Sequence, residues 1–288
     1  MNGIIIVDKP KGYTSRDVVN SVERLANTKK VGHGGTLDPI ATGVLVIALG
    51  NGLKVLEFLS HQDKEYIATV KMGIETNTLD ISGVVTNRKE FFFLDQVKLD
   101  EVLKSFIGKY MQEVPLYSSV KVGGQRLYKY AREGTKVELP KREVKIHELE
   151  LISTNKDEFV IRANVSKGTY IRSLIRDIGN KLDIPCTMKE LRRTKQGEFT
   201  LDDAVTMEEL ENGKIKPIPI DKALKGIIFV PVDETLEKKI LNGAILDNVY
   251  AEPMIGFKNK SNEVIAIYKV YDKDITKIKP LKVFKNIE

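Results

Sequence analysis

The chain has 288 residues, is 42% hydrophobic and 30% charged, and carries a formal net charge of +6, the profile of a soluble protein with one large domain or a large domain and a small companion. A single cysteine, Cys186, excludes an intrachain disulfide framework and a multi-thiolate metal cluster, and no run approaches the roughly 18 apolar residues that span a bilayer. With no basic leader before the short apolar run at the start, the expectation is a cytoplasmic protein whose basic balance favours a polyanionic partner.

Residues 3–8 read as a first strand, stopped by Lys9-Pro10-Lys11-Gly12. Ser15 is placed to cap a helix over 16–27, with Val18, Val19, Val22, Leu25 and Ala26 on one face. Gly32, Gly34 and Gly35 break regular structure before Asp38-Pro39, and 43–49 read as a buried strand. A strand over 65–72 opens near Tyr66, and a helix is expected around 95–107. Residues 137–165 hold two strands joined by Asn155-Lys156-Asp157, the second alternating apolar and polar as a sheet with one wet face does. A helix over 170–182 follows. Strands and helices mix without a steady rhythm, which points to an α+β fold around a mixed, largely antiparallel central sheet with flanking helices. The stretch 212–221, rich in proline and glycine, is the expected linker. From about 228 short strands predominate (IIFVP, GAIL, EVIAIYKVYD), the pattern of a small β-rich appendage. The division is 1–220 and 221–288.

Asp38 is the leading chemical candidate, because leucine and isoleucine around a carboxylate make its charge costly without a partner. The plainer reading is a turn aspartate bonded to local backbone. Arg172 is the natural partner, since a guanidinium offers a planar fork and stays charged when buried. It could instead pair with Asp177 or stay in solvent. Tyr66 suits a core strand, or stacking on a base with its hydroxyl near a reacting ring. His33 lies on a glycine-isolated turn with no second histidine nearby, so a zinc site is not expected. Lys121, Tyr128, Tyr130, Lys167 and Arg192 belong to basic, tyrosine-bearing segments suited to phosphates and sugars. Neither a GxxxxGK[ST] nor a GxGxxG loop occurs.

Six segments taken together give the chain a specific resemblance. They are GIIIVDKPKGYTS (3–15), KVGHGGTLDPIATGVLVIALG (30–50), KEYIATVKMG (64–73), VPLYSSVKVGGQRLYKYAREG (114–134), VSKGTYIRSLIRDIG (165–179) and MKELRRTKQGEFTLDDA (188–204). In this order they resemble the TruB-type bacterial tRNA pseudouridine synthases. The resemblance implies the pseudouridine synthase fold with a PUA-like C-terminal domain, and conversion of uridine 55 in the tRNA T-arm to pseudouridine after base flipping. It implies no cofactor, no metal and no obligate protein partner; a monomer is expected. It places the catalytic aspartate on Asp38, its pairing arginine on Arg172, the active-site tyrosine on Tyr66 and an active-site leucine on Leu191. The histidine that fills the space of the flipped nucleotide falls on His33, and an N-terminal motif beside the site on Lys9 and Pro10. Many members carry threonine where this chain has Gly34, which is expected to loosen the His33 loop. The alternative from another class is an RNA-binding protein or tRNA-folding chaperone without catalysis.

Overall fold

The structure, a computed structural model, describes residues 1–91 and 95–285. The run IIIV fills β1 (Gly3–Lys9), which is buried on both faces. The next turn enters α1 (Ser15–Leu25). Thr14, not the expected Ser15, caps this helix: its hydroxyl accepts from the Asp17 N–H while the Asp17 carboxylate accepts from the Thr14 N–H. Because Thr14 satisfies the helix end, the Ser15 hydroxyl is free to bond the backbone of Leu37.

The chain continues through β2 (Val31–His33), β3 (Thr42–Leu49), α2 (Leu56–Ser60) and β4 (Lys64–Met72). A hairpin of β5 (Ile74–Thr76) and β6 (Val85–Arg88) precedes α3 (Gln96–Lys104), shorter than expected, and β7 (Gly108–Glu113). A second small hairpin, β8 (Lys121–Val122) and β9 (Gln125–Arg126), runs into α4 (Leu127–Glu133). The wet-faced pair is β10 (Lys141–Thr154) and β11 (Glu158–Val165), followed by α5 (Ile171–Leu182). Then come β12 (Cys186–Gln196), β13 (Phe199–Thr200), β14 (Ala204–Val205) and α6 (Met207–Glu211).

The main sheet runs β14-β1-β3-β12-β4-β11-β10-β7, with β2 on β3 and β13 on β12. Its pairings are antiparallel except β1 with β14 and β3 with β12. Strand β12 lies in the middle of this sheet, although its charge-rich sequence does not read as a strand. Val18 and Val22 of α1, Leu99 and Leu103 of α3, and Leu174 and Ile178 of α5 cover one face of the sheet.

The opposite face is closed by the C-terminal unit. Here α7 (Ile220–Ala223) and α8 (Glu234–Leu241) accompany β15 (Ile228–Pro231), β16 (Leu246–Asp247), β17 (Met254–Lys258), β18 (Val264–Tyr271) and β19 (Asp274–Val283). Its sheet runs β15-β17-β18-β19-β16. Ile4, Ile6, Val44 and Val46 of the main sheet share one core with Ile220, Leu224, Ile267 and Phe284. Of the expected GAIL strand only Leu246 is extended, since Gly243 ends α8 in a left-handed turn. The expected linker at 212–221 is not free chain: Ile218 bonds Ile4 in both directions, at 2.9 and 2.7 Å. A half-buried Lys258–Asp221 ion pair at 2.6 Å ties α7 to β17.

Candidate active site

A cavity of about 590 Å³ opens on the helical face of the main sheet. Its floor is the loop between β2 and β3, and three anchors hold that loop. The Ser15 hydroxyl accepts from the Leu37 N–H at 2.8 Å, the Gly12 N–H donates to Pro39 O at 2.8 Å, and the Ala41 N–H donates to Asp38 O at 3.0 Å. Gly43 then lets β3 approach β12: its φ is +102°, and a Cβ there would meet Arg193 O at 2.2 Å. Asp38 is thus presented from a rigid edge into the cavity.

Arg172 meets it as a fork, Nε to one carboxylate oxygen at 2.9 Å and Nη2 to the other at 3.2 Å. Nη1 donates to Thr78 O at 3.0 Å and Nη2 also to Tyr117 O at 3.1 Å. Four bonds from three separate segments therefore set the guanidinium plane, and the side chain is only 6% exposed. The start of α5 that carries Arg172 has no side-chain cap. The buried Gln112 of β7 supplies order there, accepting from the Tyr170 N–H at 2.8 Å and donating to Tyr170 O at 3.1 Å.

Asp80, also on the cavity wall, accepts from the Thr78 hydroxyl at 2.9 Å, the Ser82 N–H at 3.0 Å and the Ser82 hydroxyl. Between Thr78 and Asp80, Leu79 holds φ +62°, a strained conformation for a branched residue. Burial pushes the Asp38 carboxyl above the ordinary carboxylate range; the Arg172 charge pulls it back and Asp80 adds to the rise. Tyr66 from β4 and Leu191 from β12 line the same cavity, both largely buried. The Tyr66 hydroxyl makes no hydrogen bond within the described residues.

Two family models match the chain. The model for the N-terminal domain of TruB family pseudouridylate synthases covers residues 23–171, and the model for the tRNA pseudouridylate synthase B C-terminal domain covers 172–237. The tRNA pseudouridine synthase B of Clostridium tetani is 38% identical over 93% of this chain and 92% of its own. That of Bacillus licheniformis is 40% identical over 98% and 97%. The chain belongs to the TruB family. Among solved structures, a chain of a Cbf5-Nop10-Gar1 complex superposes with a TM-score of 0.71 at 27% identity, covering 98% of this chain and 84% of that one. A chain of an H/ACA RNP bound to a substrate RNA containing 2'-deoxyuridine gives 0.70 at 25% identity, covering 98% and 85%.

In this TruB-family cavity the structure brings Asp38, Arg172, Tyr66, Leu191 and Tyr128 together. Lys167 is exposed beside Gly168 at the rim, and Lys121 is exposed on the β8–β9 hairpin. Other expected contact residues are placed differently. Lys9 is fully buried and donates to Pro10 O at 3.0 Å and Tyr13 O at 2.7 Å, so it builds the turn and lies outside the cavity lining. Pro10 accepts that bond and lies outside the cavity lining. Burial pushes the Lys9 amine down to about 8. The Tyr130 hydroxyl is spent on Val122 O at 3.0 Å, away from the cavity.

Arg192 points to the other face of β12, forked onto Asp8 at 2.7 and 3.2 Å, because successive strand residues alternate. His33 is not on a flexible turn: it ends β2, opposite Ile47. Burial and the charges of Arg193 and Arg16 push its imidazole down. Nor does Gly34 loosen the loop, since its N–H donates to Val46 O and its carbonyl accepts from Gln196, both at 2.8 Å.

The residues that sequence reasoning missed are Asp80, Lys64 and the inward-facing Arg193. The signal for Arg193 was its spacing of two from Leu191. Among the described residues no grouping of three His, Cys, Asp or Glu side chains could hold a metal, and no helix is long and apolar enough to cross a membrane.

Proposed function

We propose that this TruB-family enzyme converts uridine 55 of the tRNA T-arm to pseudouridine, acting as a cytoplasmic monomer. The observation that carries the reading is the Asp38–Arg172 ion pair at the floor of a cavity walled by Tyr66 and Leu191. In this scheme residues 1–220 form the catalytic domain and 221–288 a short PUA-like RNA-binding domain.

The chemistry breaks the bond from C1′ to N1, turns the uracil, and forms the bond from C1′ to C5. The C5 proton leaves and N1 gains one, so atoms and electrons balance without a cofactor. The target base lies inside a folded T-loop and must leave its stack to enter. Asp38 acts at the ribose beside C1′. The Arg172 fork keeps it ionised and aimed, and its own rigidity means little reorganisation during reaction. Tyr66 stacks on the detached uracil with its hydroxyl towards the C5 proton, and Leu191 helps the apolar wall retain the base.

Tritium release from tRNA labelled at C5 of uridine tests the reading. Wild type should release tritium mapped to position 55 and D38N should bind tRNA without release. Release by D38N at the wild-type rate would remove Asp38 from the reaction.

A further inference from the structure

The cavity has a second charged wall that the isomerisation of the base does not use. Arg193 is 1% exposed, yet among the described residues no carboxylate lies within 4.0 Å of its guanidinium. Only main-chain oxygens meet it: Nε donates to Val44 O at 2.6 Å and Nη2 to Gly35 O at 3.2 Å. Nη1 has no acceptor in the described protein.

Lys64 stands beside it. Its Nζ donates to Ser60 O at 3.0 Å and Gln62 O at 2.7 Å, which leaves one hydrogen of three unused. A Cβ built on Gly35 would lie 3.6 Å from Arg193 Nη1 and 3.7 Å from Lys64 Cε, so the two cations border the same glycine. The N–H groups of Gly35 and Thr36, both on the cavity wall, also make no hydrogen bond within the described residues. Burial and the Arg193 charge push the Lys64 amine down to about 8, the response of a cation crowded by another.

Burying a guanidinium without an anion is costly, and two such cations side by side are costlier. Lining a cavity, they are compensated when an anion enters it. Uracil and ribose carry no charge, whereas each link of the RNA backbone carries one. We propose that Arg193 and Lys64 seat one backbone phosphate adjoining the target uridine, so that the nucleotide is held at its phosphate on one wall while Asp38 works on the sugar from the floor. This rests on the reading of the cavity as a uridine site.

The test uses T-arm stem–loop RNAs carrying a neutral methylphosphonate at one phosphate flanking the target uridine at a time. Turnover of the unmodified RNA by wild type comes first and tests the underlying function alone. At one position the methylphosphonate should lower wild-type kcat/KM by about 10- to 100-fold, the range for a charge-assisted bond. Arg193→Gln should lower kcat/KM on unmodified RNA similarly and lose nothing further on that methylphosphonate RNA. If R193Q does not fold, judged by circular dichroism, K64Q decides the matter by the same comparison.

The proposal is overturned if no flanking methylphosphonate slows wild type by more than about twofold, or if the losses from variant and modified RNA multiply. Inorganic phosphate bound by the free protein, with no methylphosphonate effect, would assign a simple ion site and equally overturn it.

Discussion

The two charged walls of the cavity differ in how they are satisfied. On one, Asp38 and Arg172 answer each other with two contacts, and Thr78 O and Tyr117 O occupy more of the guanidinium. On the other, Arg193 and Lys64 meet only carbonyls and retain unused donors. A catalytic carboxylate must keep its aim through a whole reaction, so its partner is over-determined by bonds that do not depend on the substrate. A binding wall must give its charge to the ligand, so its cations are left short of partners. Fully paired groups in such a site point to chemistry; buried, unpaired ones point to what the site receives.

The largest test of the paired wall is removal of the carboxylate charge. D38N keeps the shape of the side chain, and turnover should fall about 1,000-fold or more with tRNA affinity close to wild type. Next comes the fork: R172K retains the charge but cannot span both carboxylate oxygens and two carbonyls. Single-turnover rates should drop about 100-fold. A rate within a few-fold of wild type would show that point charge alone suffices and that the geometry is incidental.

A smaller effect concerns pH. The Asp38 carboxyl is raised by burial and by Asp80, and the proposed mechanism uses its ionised form. The rate should therefore climb with pH through a limb lying above the ordinary aspartate range. Asp80→Asn removes one upward influence and should move that limb to lower pH. A limb that stays put in the variant would mean that Asp80 does not reach Asp38 electrostatically. The smallest effect is expected where the structure moved a candidate out of the site: Tyr130→Phe loses only the bond to Val122 O and should change kcat/KM by less than about threefold.

Much of the fold is local in origin. Alternation in 158–165 and the apolar face of 171–182 each reflect a one-sided burial that the chain writes into consecutive residues, and β11 and α5 follow. Strand β12 does not, because its central position is earned by bonds to remote carbonyls and not by apolar alternation. Arg192 and Arg193 make the point most sharply. Adjacent and chemically identical, one is forked onto Asp8 on the C-terminal-unit side of the sheet and the other is sealed in the cavity wall. Their phase is set by pairing with β3 and β4, so no local pattern distinguishes them.

The sequence by itself determined the family, the α+β class and the identity of Asp38, Arg172 and Tyr66 as the residues to watch, because motif order and side-chain chemistry are properties of the chain. Tertiary structure decided that Asp38 and Arg172, 134 residues apart, share a fork, that Lys9 is a buried strut, and that Arg193 faces the cavity while Arg192 does not. Those outcomes depend on strand register and on which carbonyls lie within reach, and both exist only after distant segments have packed.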